Sequence, residues 1–159
     1  MSEPVGGAAA LAALLRLNTR LFHACLEGVT AEEAEWRPVD GANGLGFIAL
    51  HVVDARYFMA GVLGRPLQDP FPEYADTASI AEVESLPALS ELRAAWDEVS
   101  PAVVAGMAEL PPERAASSSS GDFPVDDPSV LGAAAFLVQH ESYHIGQLSL
   151  LRRQLGHPP

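Results

Sequence analysis

Hydrophobic positions along the chain recur at spacings of three and four, in stretches separated by Gly-, Pro- and Ser-rich connections. That period gathers apolar side chains on one face of an α-helix. The first long segment runs from about Ala8 to Glu27, with Leu11, Leu14, Leu15, Phe22, Cys25 and Leu26 on one face and Arg16, Arg20, His23 and Glu27 opposite. Asn18 falls on the apolar side, where it either caps a buried group or lines a site. Cys25 reads as a small core residue. Thr30-Ala31-Glu32-Glu33 has capping-box spacing and predicts a short helical turn that stops at Arg37-Pro38. A second long segment spans about Gly44 to Leu63, with Phe47, Ile48, Val52, Ala55, Phe58, Met59 and Val62 as its stripe and Gly64 as its stop.

A third helix is expected from Pro87, a favoured first helical position, with Leu89, Leu92, Ala95, Trp96 and Val99 as its apolar set. Pro101 should kink or interrupt it, and Pro111-Pro112 should end it. Residues 115–127 have the composition of a mobile loop. Asp127-Pro128 offers a cap and first position for a fourth helix reaching about Leu155. Strand alternation and internal repeats are absent from the pattern. Four amphipathic segments in a chain of 159 residues predict one domain, residues 1–159, with an all-α fold: an up-down four-helix bundle.

Composition narrows the partners. Hydrophobic residues make up 48% of the chain and charged residues 19%, which excludes an intrinsically disordered protein. Nine Arg and no Lys stand against 21 Asp plus Glu, a net charge of -12 that repels phosphate backbones and anionic lipid. Neither nucleic acid nor membrane is therefore expected as a partner. The single cysteine, Cys25, excludes an intramolecular disulfide framework and a Cys-only zinc site. The apolar run Val5 to Leu15 is too short to span a bilayer. Glu3, with no Lys or Arg before the run, argues against a secretory signal, so a cytoplasmic protein is expected.

The chemistry lies in the histidines. His140 and His144 are four apart, one above the other on the face that carries Ala133, Leu137, Leu148 and Leu151. His51 shares a stripe with Ile48, Ala55, Phe58 and Val62. One inward histidine is ordinarily a satisfied core residue. Burying three together is costly unless each finds a partner, because a neutral ring cannot donate from both nitrogens and protonated rings repel. A divalent ion resolves the conflict by taking one lone pair from each ring. Three imidazoles plus water is the ligand set of an open zinc-type site, able to act as a Lewis acid. Zinc and nickel are the first candidates, and copper or iron would also suit imidazole. His157 lies in the Pro-rich tail, away from these stripes.

His140-Glu141-Ser142-Tyr143-His144 also satisfies the zinc-protease pattern H-E-x-x-H, in which the glutamate is the general base. The extended pattern requires a histidine where Leu150 stands, and no Asp or Glu follows Glu141. A third ligand would have to come from upstream, as His51 would. Glu141 remains a candidate base, or it faces another helix or solvent.

Three segments, Thr30–Pro38 (TAEEAEWRP), Asn43–His51 (NGLGFIALH) and His140–Leu148 (HESYHIGQL), make the chain resemble the DinB-like four-helix-bundle family of metal-dependent enzymes. That family is unrelated to the DNA polymerase of the same name. The last segment is the most specific, since H-x-x-x-H-x-G-Q recurs on the family's final helix. The resemblance implies one divalent ion on His51, His140 and His144, and a homodimer. It also implies a small-molecule substrate. Relatives use a low-molecular-weight bacterial thiol such as mycothiol or bacillithiol as cosubstrate, among them S-transferases and a mycothiol-dependent maleylpyruvate isomerase. Others are hydrolase-like, and a non-catalytic binder is a further alternative.

Beside the ligands, Asp54 lies one turn after His51 and Gln147 three residues after His144. Either could orient an imidazole N–H or contact substrate, and Tyr143 could donate to a substrate oxygen. Each also reads as an ordinary structural hydrogen bond. Arg56 and Arg152 are the candidates for holding an anionic group of a thiol.

Overall fold

A computed structural model of the chain describes residues 6–75, 77 and 79–159. Glu3, which argued against a signal segment, and Val5, the first residue of the apolar run, lie outside the described residues. Four long helices form: α1 (Gly7–Leu26), α3 (Leu45–Val62), α4 (Leu89–Ala108) and α6 (Val130–Gln154). Two short ones, α2 (Ala31–Glu35) and α5 (Pro112–Ala116), join them, and no strand is present among the described residues. The all-α bundle is thus what the chain adopts.

Local chemistry sets most boundaries. Thr30 and Glu33 close the capping box of α2, with Thr30 Oγ1 accepting from Glu33 N at 3.2 Å and Glu33 Oε2 accepting from Thr30 N at 2.9 Å. Gly64, at φ 77°, takes the left-handed conformation that stops α3. Helix α4 starts at Leu89 rather than Pro87, because Ala88 is its cap and donates its N–H to Glu91 Oε2 at 2.8 Å. It runs unbroken through Pro101, which sits on the exposed face where water can satisfy the carbonyl left without an N–H. Helix α6 is capped by Ser129, whose hydroxyl accepts from Gly132 N at 3.1 Å, two residues past the expected cap, Asp127. Gly132 is required there, since a Cβ would meet Asp127 O at 2.2 Å.

The four long helices pack in a square, α1 against α4 and α6, and α3 against α4 and α6. Their directions follow from the pairings. Gly7 lies against Leu131 and Asn18 bonds Glu141, so α1 and α6 are parallel. Tyr57 bonds Ala95 O and Gly106 lies against Leu63, so α3 and α4 are parallel as well. Residues 47–51 face 143–154 and residues 54–58 face 136–140, so α3 and α6 are antiparallel. Chain direction is therefore up, down, down, up rather than simply alternating. The long connection from Leu63 to Ala88 returns the chain to the same end and makes a parallel α3–α4 pair feasible.

The core contains Leu15, Phe22, Val52, Val53, Met59, Trp96, Val103 and Leu148, all fully buried. Helix α3 is long and apolar enough to cross a membrane by length and composition, but 67% of it is buried by its own bundle. Two stripe residues fall outside the core: Leu14 is 45% and Phe58 is 56% exposed. Segment 115–127, read as a mobile loop, begins in the last turn of α5 and is tied to the residues around it instead. Val130 N donates to Ser117 O at 2.8 Å, Ser119 N donates to Pro128 O at 2.9 Å, and Ser118 bridges Ser129.

One polar cluster crosses this core. Arg56 of α3 is fully buried and grips Glu141 of α6 with two 2.8 Å bonds, from Nε and Nη2. Its Nη1 donates to Thr19 Oγ1 of α1 at 2.8 Å and to Ser100 Oγ of α4 at 2.7 Å, and its guanidinium lies 3.6 Å from the Trp96 ring centroid. Asn18 adds a bond to Glu141 at 3.1 Å and one to Ser142 at 3.0 Å. One guanidinium thereby touches all four long helices, and a register shift in any of them would strand a buried charge.

Candidate metal centre

The antiparallel α3–α6 seam brings His51, His140 and His144 together from helical stripes remote in sequence. His140 Nε2 lies 3.2 Å from His51 Nε2 and 3.1 Å from His144 Nε2. The rings meet edge to face, with centroids 4.5–5.1 Å apart. A metal about 2.0–2.1 Å from each ligand nitrogen spaces neighbouring nitrogens of a tetrahedral shell about 3.3 Å apart. The two separations from His140 Nε2 are within a few tenths of an ångström of that edge. Among the described residues, these three side chains are the group of His, Cys, Asp or Glu able to hold a metal ion.

Protonation suits ligation. Burial, followed by the neighbouring His144 and His140, pushes His51 down to about 4. Burial and His144 also lower His140. Both rings are neutral near pH 7, with lone pairs to give. His144 Nδ1 faces Gln147 Oε1 at 2.7 Å, and an amide oxygen only accepts. The Nδ1 of His144 therefore carries the proton, and its Nε2 presents a lone pair to the cluster. Without an ion, the inward nitrogens have only one another. Among the described residues, His140 Nδ1 is buried with no hydrogen-bond partner.

Two cavities flank the imidazoles along the seam. One, of about 440 Å³, is bordered by His51, His144, Gln147, Tyr143, Asn43 and Gln154, with no charged side chain on its lining among the described residues. The other, of about 710 Å³, is bordered by His140, Asp54 and several aromatic rings. Tyr143 is 59% exposed, with its ring centroid 5.2 Å from that of His144. Asp54 is on the wall of the larger cavity, on the same side as His140.

Glu141 stands elsewhere. It is 1% exposed, borders neither cavity, and gives both oxygens to Arg56 and Asn18. On a helix the residue after a ligand points about 100° away from it, here toward α1. A base with both oxygens held in a buried ion pair cannot receive a substrate proton, so the H-E-x-x-H reading of Glu141 gives way to a structural one. Arg56, in that pair, and Arg152, which donates to Glu27 O and Pro158 O, are likewise withdrawn as anchors for an anionic thiol. His23 pairs with Asp97 at 2.7 Å and His157 with Glu33 at 2.9 Å, both outside the cluster. Burial raises the Cys25 thiol, as for an unreactive core cysteine.

Asp69, Asp122 and Phe123, all on the larger cavity, were not singled out by sequence reasoning. They sit in connections, where no periodicity marks which side chains turn inward.

The fold and the site define a helical bundle with a cluster of three imidazoles in a seam between two long helices. The profile of the DinB superfamily matches residues 14–148, a span that takes in all three histidines, and the chain belongs to that superfamily. No curated protein matches the chain.

Proposed function

We propose that this protein is a metal-dependent enzyme that joins a low-molecular-weight thiol to a small electrophile, with one divalent ion, zinc or nickel, on His51, His140 and His144. The observation that carries the reading is the approach of His140 Nε2 to within 3.1–3.2 Å of both His51 Nε2 and His144 Nε2, beside open cavities. Bound there, the ion would supply Lewis acidity, favouring the thiolate form of a thiol at neutral pH. The chain supplies the rest. Gln147 holds the His144 ring and its tautomer. Tyr143 offers a phenol at the mouth of the smaller cavity. Asn43, Gln147 and Gln154 give that cavity amide groups suited to a neutral, hydroxyl-rich cosubstrate. Two cavities on either side of the imidazoles favour a two-substrate transfer over a simple hydrolysis. In the transfer the thiol sulfur bonds to an electrophilic carbon, its proton passes to solvent, and the leaving group departs with its electron pair.

The proposal includes a cytoplasmic location, consistent with Cys25 as a free buried thiol. It also includes a homodimer. Leu14, Leu17 and Leu21 form an exposed row on α1, each 40–45% accessible, and sedimentation as a monomer at all concentrations would rule out that partner.

The test is elemental analysis together with a panel of thiols and electrophiles, for wild type and His51→Ala. One metal per chain and turnover, both lost in the variant, support the reading. Bound metal with no turnover points to a binding protein, and ester cleavage without thiol points to a hydrolase. A wild-type chain that takes up no metal overturns the site.

A further inference from the structure

The larger cavity has a chemical character of its own. Its wall carries an aromatic ladder. Phe58 and Phe123 have centroids 6.4 Å apart, Phe123 and Phe136 5.9 Å, and Phe136 and the His140 ring 5.9 Å. Among the described residues, the same wall carries Asp54, Asp69 and Asp122 and no arginine. The three carboxylates are not a second metal site, because among the described residues only the imidazoles gather closely enough to share an ion. They are spread around a volume of about 710 Å³, within the range of small-molecule sites. Phe58 is 56% exposed although it belongs to the apolar stripe of α3, and Phe123 reaches it from the connection before α6. Both rings gain by being covered with an apolar body. His140 Nδ1, buried without a hydrogen-bond partner among the described residues, belongs to a residue on this lining.

We infer that this cavity binds an organic cation with an aromatic or compact apolar body, an arylalkylammonium being the simplest form. Ring faces attract a cation and cover its hydrocarbon part. Carboxylates accept from the ammonium group with charge-assisted hydrogen bonds. An anion would meet three like charges, and a neutral body would desolvate carboxylates without return. The inference deepens the proposed function by giving the electrophilic substrate a positively charged class, and it rests on that reading only in calling the occupant a substrate. Binding itself does not require the metal.

The experiment titrates the full chain, metal-free and metal-loaded, with phenethylammonium, phenethyl alcohol and phenylacetate, followed by calorimetry and by aromatic chemical shifts. Phenethylammonium should bind saturably, about tenfold or more tighter than the alcohol, and weaken as ionic strength rises. Phenylacetate should not compete. Asp69→Asn with Asp122→Asn should weaken the cation about tenfold. The Asn at position 69 keeps the oxygen that accepts from Phe71 N at 2.8 Å, so the loop is preserved. Glu32→Gln, on the exposed side of α2, removes one charge elsewhere and should change nothing. Equal affinity for the alcohol, competition by phenylacetate, or an unchanged double variant would overturn the inference. Cation binding without metal uptake would retain this site and refute the metal enzyme, and metal uptake without cation binding would do the reverse.

Discussion

Glu141→Gln tests whether this residue belongs to the chemistry or to the bundle. The substitution keeps shape and one acceptor oxygen but leaves the Arg56 guanidinium, 0% exposed, without a counter-charge. At the observed 2.8 Å, the pair's attraction at an effective dielectric of about 20 is about 6 kcal/mol, against which the desolvation of both ions is set. Breaking one side of such a pair costs about 3–5 kcal/mol, because the other charge stays buried. In a chain of this size that is a fall in melting temperature of about 6–20 °C. Replacing both partners, Arg56→Met with Glu141→Leu, should recover much of the loss, since no charge is then stranded. Thr19 and Ser100 would keep their own bonds to Leu15 O and Trp96 O, at 2.7 and 2.5 Å. The assay is thermal and urea unfolding of the single and double variants, with metal stoichiometry measured well below the transition. A Glu141→Gln protein that melts with wild type would refute the clamp. One that keeps its stability but loses turnover with substrate would return Glu141 to the active site.

Three further outcomes follow from the geometry. Saturating the protein with zinc or nickel should stabilise it by about 2.7 kcal/mol at free metal near a hundred times Kd, and a chelator should abolish the gain. Equal melting with and without chelator in metal-saturated samples would count against the centre. Gln147→Leu removes the acceptor that sets the His144 tautomer, and metal affinity measured by competition should fall about 10–100-fold while the metal-free fold persists. The third outcome concerns pH. His51 has its folded value depressed from 6.5 to about 4, so across that interval the unfolded chain binds a proton that the folded chain refuses. The metal-free protein should hold this contribution above 6.5 and lose it as pH falls toward about 4. His51→Gln should have a shallower dependence in urea titrations, and identical slopes would refute the assignment.

Much of the bundle was legible because its signals are local. The spacing of His140 and His144, the apolar companions of His51, the Thr30 capping box and the stop at Gly64 each depend on residues within a few positions of one another. Helical periodicity alone sends those rings inward, and it does so whatever the other helices do. The parallel α3–α4 pair, the bond between Arg56 and Glu141, and the turning of Phe58 outward toward Phe123 were not legible. Periodicity marks the face a side chain occupies, and only packing decides what lies opposite that face. Glu141 is next to a candidate ligand in sequence and in a separate polar cluster in space, because one step along a helix is also a large turn about its axis. The amino-acid pattern thus determined the helices, their buried stripes and the histidines they carry. Tertiary structure decided which stripes meet, and so which groups share the seam, since contacts between helices are chosen by shape and charge along their whole length.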